Sequence, residues 1–153
     1  MKKKWILLVI CIALPILVGA VSAYLTRSGM ESFGALTKPP LSPPAWLFPV
    51  VWTILYVLMG AASYLVLTSE KLRTNALYAY AAQLLFNFVW PILFFLFGWY
   101  LPAFVWLIGL WIAVLVTTVR FYRIRSAAGV LMLPYLLWVT FAGYLNLSIA
   151  LLN

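Results

Sequence analysis

Apolar residues dominate five long stretches of the chain, and charged residues are confined to the segments between them. The stretches cover residues 5–25, 45–67, 76–97, 101–119 and 128–152. Since about 20 consecutive apolar residues cross the hydrocarbon core of a bilayer as a helix, each stretch is long enough for one span. The two middle stretches adjoin, and we divide them at 98–102 (GWYLP), where Gly and Pro interrupt a helix. The pattern predicts an all-α membrane protein, a bundle of five transmembrane helices formed by residues 1–153 as a single domain.

Lys and Arg residues are distributed unevenly between the two sides of such a bundle. Eight of them fall in the N-terminal segment and in the second and fourth connections, whereas only Arg27 and Lys38 lie in the first connection. Because cytoplasmic segments carry the excess of Lys and Arg, we expect the N-terminus in the cytoplasm and the C-terminus outside. The chain is then a multi-pass protein of the cell membrane.

The first stretch permits a second interpretation. Its basic start, its apolar run and the tripeptide Val21-Ser22-Ala23 resemble a cleavable signal peptide, and cleavage would leave four spans. However, the apolar run of about 21 residues is longer than the usual 7–15-residue core of a signal peptide. We therefore expect the first helix to be retained.

The composition restricts the chemistry available inside the bundle. Hydrophobic residues make up 67% of the chain and charged residues 8%, which excludes an ordinary soluble domain. Histidine is absent, Cys11 is the only cysteine, and Glu31 and Glu70 are the only acids. A metal site of protein ligands is therefore not expected, and neither His ligation of haem nor a Ser-His-Asp site can be built. The net charge of +8 comes from short connections rather than one basic face, so nucleic acid is not an expected partner.

Three stretches carry aromatic, amide and small residues on one helix face, at spacings of three and four. These residues are Trp52, Tyr56 and Gly60, then Gln83, Asn87, Trp90 and Phe94, and finally Trp138, Ala142 and Asn146. Amides within a membrane need partners, so the three faces should point into the bundle. Two interpretations stay open: the amides join helices while the aromatics fill the core, or the faces line a small-molecule pocket. In a pocket, indole N–H groups and Asn amides would bind the ligand, and Ala142 would leave room for it.

The first connection, residues 26–44, is rich in proline near its end. Pro39, Pro40, Pro43 and Pro44 favour an extended backbone. Loops of this length in compact proteins are often lids or binding elements. The prolines therefore either only prevent helix formation or stiffen a lid over a pocket that is entered from the outer side.

Three segments resemble the translocator-protein family, also called the tryptophan-rich sensory proteins or peripheral benzodiazepine receptors. They are PPLSPPAWLFPVVWTILYVLMGAASY (39–64), QLLFNFVW (83–90) and PYLLWVTFAGYLN (134–146). The resemblance implies a five-helix bundle, often a homodimer, with a pocket open toward the side of the first loop. It also implies binding of porphyrins such as protoporphyrin IX and of drug-like isoquinoline carboxamides, with no cofactor. The segment after Asn146, LSIALLN, lacks the Tyr and basic residue of the sterol consensus in animal members, so cholesterol is not the expected natural ligand.

Positions that match the family motifs imply which residues bind the ligand. They are Trp52, Asn87, Trp138 and Ala142, with Tyr56, Trp90 and Asn146 nearby, and Gln83 and Trp46 complete the candidate set. The predicted function is a membrane receptor or carrier for porphyrins and other flat apolar ligands, linked to tetrapyrrole regulation or stress. Trp rings would stack on the porphyrin, and Arg27, Lys38 or loop amides would meet its carboxylates.

Two other functions remain open. The resemblance also implies light-dependent porphyrin degradation, in which Trp52 and Trp138 take part as catalytic residues. The second alternative is a structural or interaction protein of the membrane without a ligand. For the packing of helices within or between chains, the sequence offers two pairs of small residues, Gly19 with Ala23 and Gly109 with Ala113.

Overall fold

The computed structural model describes residues 1–153 as five α-helices with no β-strand. The helices are α1 (Lys2–Gly34), α2 (Leu47–Leu67), α3 (Thr74–Pro91, continued by a π-helical turn over Ile92–Leu96), α4 (Tyr100–Ile124) and α5 (Ser126–Leu152). All five are long and apolar enough to cross a membrane. The predicted all-α bundle of five transmembrane helices is confirmed.

The helices form a closed ring in the order α1, α2, α5, α4, α3, in which each packs against its two neighbours. Because successive helices alternate in direction, the N-terminus and the connections at 68–73 and at Arg125 share one end, which we name the basic end. The opposite end carries the first connection, and we name it the loop end. The largest hydrophobic core lies toward the basic end, where residues such as Met59, Val114 and Phe121 are fully buried.

The basic end is joined by hydrogen bonds between its connections. Lys71 Nζ donates to the backbone oxygen of Arg123 (3.1 Å), and Arg120 donates to the backbone oxygen of Asn75 (2.7 Å). The eight basic residues therefore lie at one end, as the charge pattern predicts. Which end faces the cytoplasm stays a prediction.

The first helix extends beyond the expected start of the first loop. We predicted a loop over 26–44, but α1 continues to Gly34 and the connection covers 35–46. Hydropathy marks where a helix leaves the membrane. The helix continues past that point as long as no proline ends it. The extension is stabilised by Phe33, whose ring packs against Phe48 (6.4 Å) and Phe95 (5.5 Å).

The chain break between α3 and α4 has two local causes. Pro91 has no N–H to donate within α3, and the helix widens into the π-helical turn that follows it. Gly98 then adopts a positive φ of 63°, a conformation that other residues rarely take. The helix ends at Leu96, two residues before the predicted GWYLP break, and α4 begins within it at Tyr100. Phe94 and Phe95 of the π-helical turn point into the bundle.

Glycine brings α1 and α2 into direct contact toward the basic end. A Cβ atom on Gly60 would lie 2.5 Å from Cα of Ile12 and 2.6 Å from the backbone oxygen of Cys11. The backbones of the two helices therefore touch at this level, in the manner of small-residue contacts between membrane helices.

The glycines of the two predicted small-residue pairs both pack within the chain. Gly19 lies against the ring of Tyr56 on α2. Gly109 lies against the ring of Phe86 on α3. Both glycines therefore serve contacts between helices of the same bundle.

Candidate functional site

A cavity of about 480 Å³ lies among the helices toward the loop end. Its wall consists of 24 residues, 16 of them hydrophobic, supplied by α1, the end of the first connection (Ala45), α2, α3 with its π-helical turn, and α5. α4 contributes none, and most of its buried apolar residues belong to the hydrophobic core toward the basic end. The volume and the largely apolar wall are typical of small-molecule sites.

Seven of the nine predicted binding residues lie on this wall. They are Trp52, Tyr56, Asn87, Trp90, Trp138, Ala142 and Asn146. The structure thus brings the predicted faces of α2, α3 and α5 together around a single space. Their roles as ligand contacts stay predictions.

Gln83 and Trp46 do not line the cavity. Gln83 is fully buried one helical turn below Asn87, where its Oε1 accepts a hydrogen bond from the Tyr135 hydroxyl (2.8 Å). Trp46 precedes α2 and is 66% exposed. An indole at this position suits the membrane–water interface better than a buried pocket.

A chain of hydrogen bonds joins three helices at the floor of the cavity. The Tyr56 hydroxyl donates to Asn87 Oδ1 (3.0 Å), and Asn87 Nδ2 donates to the Tyr135 oxygen (2.8 Å). The Tyr135 hydroxyl donates onward to Gln83. Asn87 is only 3% exposed, and its amide is occupied by protein partners on both sides. The amide therefore holds α2, α3 and α5 together, and its expected role as a ligand contact stays a prediction.

The upper wall contains a second amide whose bonds are also made within the protein. Trp90 Nε1 donates to Asn146 Oδ1 (3.0 Å), and Asn146 Nδ2 donates to the backbone oxygen of Tyr100 (2.7 Å). The Trp90 ring stacks on Phe94 at a centroid distance of 5.4 Å. The indole is therefore fixed in orientation and presents its ring, rather than its N–H, to the cavity.

Trp138 differs from Trp90 because its indole Nε1 is buried and has no hydrogen-bond partner. Its ring packs edge-on against Phe48 (6.0 Å) and against Phe141 (5.5 Å). A buried N–H without an acceptor costs about 1–3 kcal/mol. This N–H is not accessible from the cavity, so Trp138 contributes its ring to the wall.

Trp52 lies opposite, between two tyrosines. Its ring stacks on Tyr56 (5.7 Å, interplanar angle 29°) and meets Tyr135 edge-on (6.1 Å). The ring is half-buried, with part of its surface open to the cavity. It therefore offers an aromatic face to a flat ligand.

The wall holds no acidic or basic side chain. The hydroxyls of Ser22, Thr26 and Thr53 donate to backbone oxygens of α3, α1 and α2, and so retain only acceptor capacity. The cavity provides apolar surface, aromatic rings and hydroxyl oxygens.

The two cations of the loop end lie outside the wall. Lys38 Nζ lies over the ring of Phe33 (4.9 Å), and Phe33 lines the cavity. Arg27 lies over the ring of Tyr24 (3.9 Å) on the exposed side of α1. Lys38 is therefore the nearer of the two proposed partners for a ligand carboxylate.

The sequence reasoning missed the contribution of α1. Eight residues of the wall belong to it: Ile16, Gly19, Ala20, Ser22, Ala23, Thr26, Met30 and Phe33. No aromatic or amide pattern marks this helix. The signal was the set of small residues on one side of α1, Gly19, Ala20, Ser22, Ala23 and Thr26, whose short side chains leave the space that the cavity occupies.

The first connection is fastened to α5 and to the last residue of the sequence. The N–H of Thr37 donates to Asn153 Oδ1 (3.0 Å), and Asn153 Nδ2 donates to the backbone oxygen of Thr37 (2.9 Å). The Tyr144 hydroxyl donates to the backbone oxygen of Pro40 (2.9 Å). These three bonds hold the proline-rich segment against the bundle at the loop end.

Comparison with known proteins agrees with this architecture. The sequence profile of the TspO/MBR family matches residues 11–152. The chain is 39% identical to the tryptophan-rich protein TspO of Chlorobaculum tepidum, over 100% of the chain and 99% of that relative. It is 40% identical to the tryptophan-rich sensory protein of Cereibacter sphaeroides (80% and 77% covered), and 35% identical to the translocator protein of Bos taurus (95% and 89% covered). These matches extend over nearly all of the chain, including the three helix faces that surround the cavity, and the chain therefore belongs to the TspO/MBR family.

Proposed function

We propose that this protein is a membrane receptor or carrier that binds porphyrins, protoporphyrin IX in particular, in the cavity at the loop end. The observation that supports the proposal is the wall itself, which is largely apolar and carries Trp52, Trp90 and Trp138 around one space of about 480 Å³. A porphyrin is a flat aromatic molecule, so ring faces and edges are the surfaces that suit it. The name of the relative from Cereibacter sphaeroides, tryptophan-rich sensory protein, is consistent with a sensing role.

The proposal extends to the position of the protein. We place it in the cell membrane with the basic end in the cytoplasm and the loop end outside, because eight of the ten Lys and Arg residues lie at the basic end. Carboxylates at the edge of a bound porphyrin would then point toward Lys38 and the loop end. Apolar pyrrole substituents would lie deeper, toward the floor, against Trp52 and Ala142.

The binding test is a titration of the protein in lipid nanodiscs with protoporphyrin IX, followed by tryptophan fluorescence in the dark. Wild type is compared with Ala142→Phe, which fills part of the cavity, and with Leu137→Phe as the matched control. Leu137 is on the same helix but is 70% exposed and outside the wall. We expect saturable one-site quenching that Ala142→Phe weakens and Leu137→Phe leaves unchanged. Quenching that never saturates and is equal in all three proteins would mean that porphyrin only partitions into lipid, which favours a structural protein.

Competition distinguishes a shared pocket from separate sites. Drug-like isoquinoline carboxamides are flat, carry a carbonyl acceptor and match the cavity in chemistry. We expect such a compound to displace protoporphyrin from wild type. Ala142→Phe should weaken binding of both compounds.

Light-dependent degradation of porphyrin is the second candidate function. It is favoured by the contact of Trp52 with Tyr56 and Tyr135, since indole and phenol rings are the electron donors available at a site without acid–base groups. The test is illumination of the complex in the presence of oxygen. A defined product formed over many cycles supports catalysis, and that product should diminish in Trp52→Phe and Trp138→Phe. Bleaching that stops after about one equivalent would show damage instead.

A further inference from the structure

The exposed residues of the cavity wall are confined to one side of it. They are Ala20, Ala23 and Met30 on α1, and Ala45, Pro49 and Thr53 at the start of α2. Every wall residue supplied by α3, its π-helical turn and α5 is buried or half-buried. The cavity is therefore open between α1 and α2 and closed elsewhere.

This opening is continuous with the lipid-facing surface. Residues four apart lie on the same face of a helix. On α1, Ala20 lies one turn from Tyr24, which is 64% exposed and outside the wall. On α2, Thr53 lies one turn from Val57, which is also exposed and outside the wall. Both edges of the gap thus border side chains that face the membrane.

The side chains at the gap are small compared with those deeper in the wall. Ala20 and Ala23 form its α1 edge, and Thr53 forms part of its α2 edge. Below this level the two helices are in contact, because the ring of Tyr56 lies against Gly19. The gap therefore begins where that contact ends and widens toward the loop end.

The first connection covers the loop end of the bundle and is fastened there to α5. The connection over 35–46 is held down by the paired bonds of Thr37 with Asn153 and by the bond from Tyr144 to Pro40. Opening this side requires at least these three hydrogen bonds to break. Opening the gap between α1 and α2 requires none of them.

We infer that flat apolar ligands enter and leave the cavity sideways from the bilayer, through the gap between α1 and α2. The inference rests on the proposed function and adds the route and the class of ligand: molecules dissolved in the membrane. Such a molecule moves from one apolar environment to another without passing through water. The connection over 35–46 then serves as a fixed roof.

The gap is tested by narrowing it. Ala23→Phe places a ring at its edge, Ala20→Phe repeats the change three positions earlier, about one helical turn along the same edge, and Leu25→Phe is the control. Leu25 is an exposed residue of the same helix and lies outside the wall. With protoporphyrin IX in nanodiscs, we expect the association and dissociation rates of Ala23→Phe both to fall about tenfold, equivalent to a barrier higher by about 1.4 kcal/mol. A narrowed gap slows both rates by a similar factor, whereas a ring that enters the cavity raises the dissociation rate, and Leu25→Phe should match wild type.

The roof is tested by locking it. In a Cys11→Ser background, Thr37→Cys with Asn153→Cys places two thiols where the roof meets the end of α5. The same sample is measured oxidised and reduced, so each protein is its own control. We expect equal rates in the two forms.

The outcomes separate this inference from the proposed function. Rates that fall in Ala23→Phe and Ala20→Phe and do not respond to the disulfide support the lateral route. Rates that fall on oxidation, or that are unchanged in both phenylalanine variants, refute it even though porphyrin binds. Absence of saturable binding in wild type refutes the proposed function, and the inference with it.

Discussion

The contact between α1 and α2 is tight toward the basic end and open toward the loop end. In the tight half, Gly60 lies against the backbone of Ile12, and Met59 beside it is fully buried in the adjoining core. In the open half, the same two helices carry the exposed edges of a cavity of about 480 Å³. The difference depends on which helix supplies the small residue. A glycine of α2 lets the backbones meet, whereas Ala20 and Ala23 of α1 face a cavity that the α2 side chains do not fill.

The open half shows how a small membrane protein keeps a cavity from closing. An apolar helix pair in lipid gains most from close packing, so an unfilled space needs support from elsewhere. The support comes from the floor, where Tyr56, Asn87 and Tyr135 bond to one another across three helices. It also comes from the roof, where Asn153 holds Thr37. Four changes test this division of roles.

The largest effect is expected at the tight contact. Gly60→Ala adds a Cβ 2.5 Å from Cα of Ile12, and backbone atoms cannot move aside as a flexible side chain can. We expect a loss of about 2–3 kcal/mol in the free energy of unfolding, measured by thermal unfolding in nanodiscs. Gly34→Ala is the control, since no atom lies within 4 Å of the added Cβ. Equal unfolding curves for the two variants would show that the two helices can move apart without loss of stability. The close contact at Gly60 would then not be a constraint on the bundle.

The next effect concerns the floor. Asn87→Leu leaves the hydroxyls of Tyr56 and Tyr135 without this partner, so we expect a loss of about 2 kcal/mol. Tyr56→Phe alone should cost about 1 kcal/mol. Added to Asn87→Leu it should cost close to nothing, because the bond that it removes is already lost. Additive losses in this double-mutant cycle would contradict the idea that the floor acts as one network.

The sequence predicted much of this arrangement. Five helices follow from five uncharged apolar runs, and the inward faces of α2, α3 and α5 follow from amides and aromatics spaced by three and four. Seven candidate residues line the cavity wall because positions three and four apart lie on one side of a helix. Trp46 did not, because it precedes the first turn of α2 and that periodicity does not reach it.

Other features required three dimensions. The end of α1 was misplaced by nine residues because hydropathy reports the membrane boundary and not the last hydrogen bond of the helix. Whether an amide is free or occupied depends on its partner: Asn87 and Tyr135 are far apart in the chain yet bond at 2.8 Å. The role of α1 in the cavity was hidden because small residues indicate close packing and open space equally well.

Two of the three cavity tryptophans offer a smaller but more specific test. Trp90 donates to Asn146, whereas the buried N–H of Trp138 has no acceptor. Trp90→Phe should therefore lower the free energy of unfolding by about 1 kcal/mol more than Trp138→Phe does. Both rings border the cavity, so protoporphyrin affinity should fall in both variants whatever their order in stability. Thermal unfolding and a protoporphyrin titration of both variants measure the two quantities separately, and equal losses of stability would contradict the role of the bond from Trp90 to Asn146.

The smallest effect is expected at the roof, and it bears directly on the open half. Asn153→Ala removes the side-chain bonds to Thr37, which lie at the exposed end of the bundle and compete with water. The free energy of unfolding should fall by no more than about 1 kcal/mol. Hydrogen exchange of the Thr37 amide should nevertheless accelerate, because its acceptor is gone, while the amides of 55–66 in the tight half keep their protection. If the amides of 55–66 also exchanged faster, the roof and the tight half would unfold as one cooperative unit. The two halves of the α1–α2 contact would then differ in shape and not in stability.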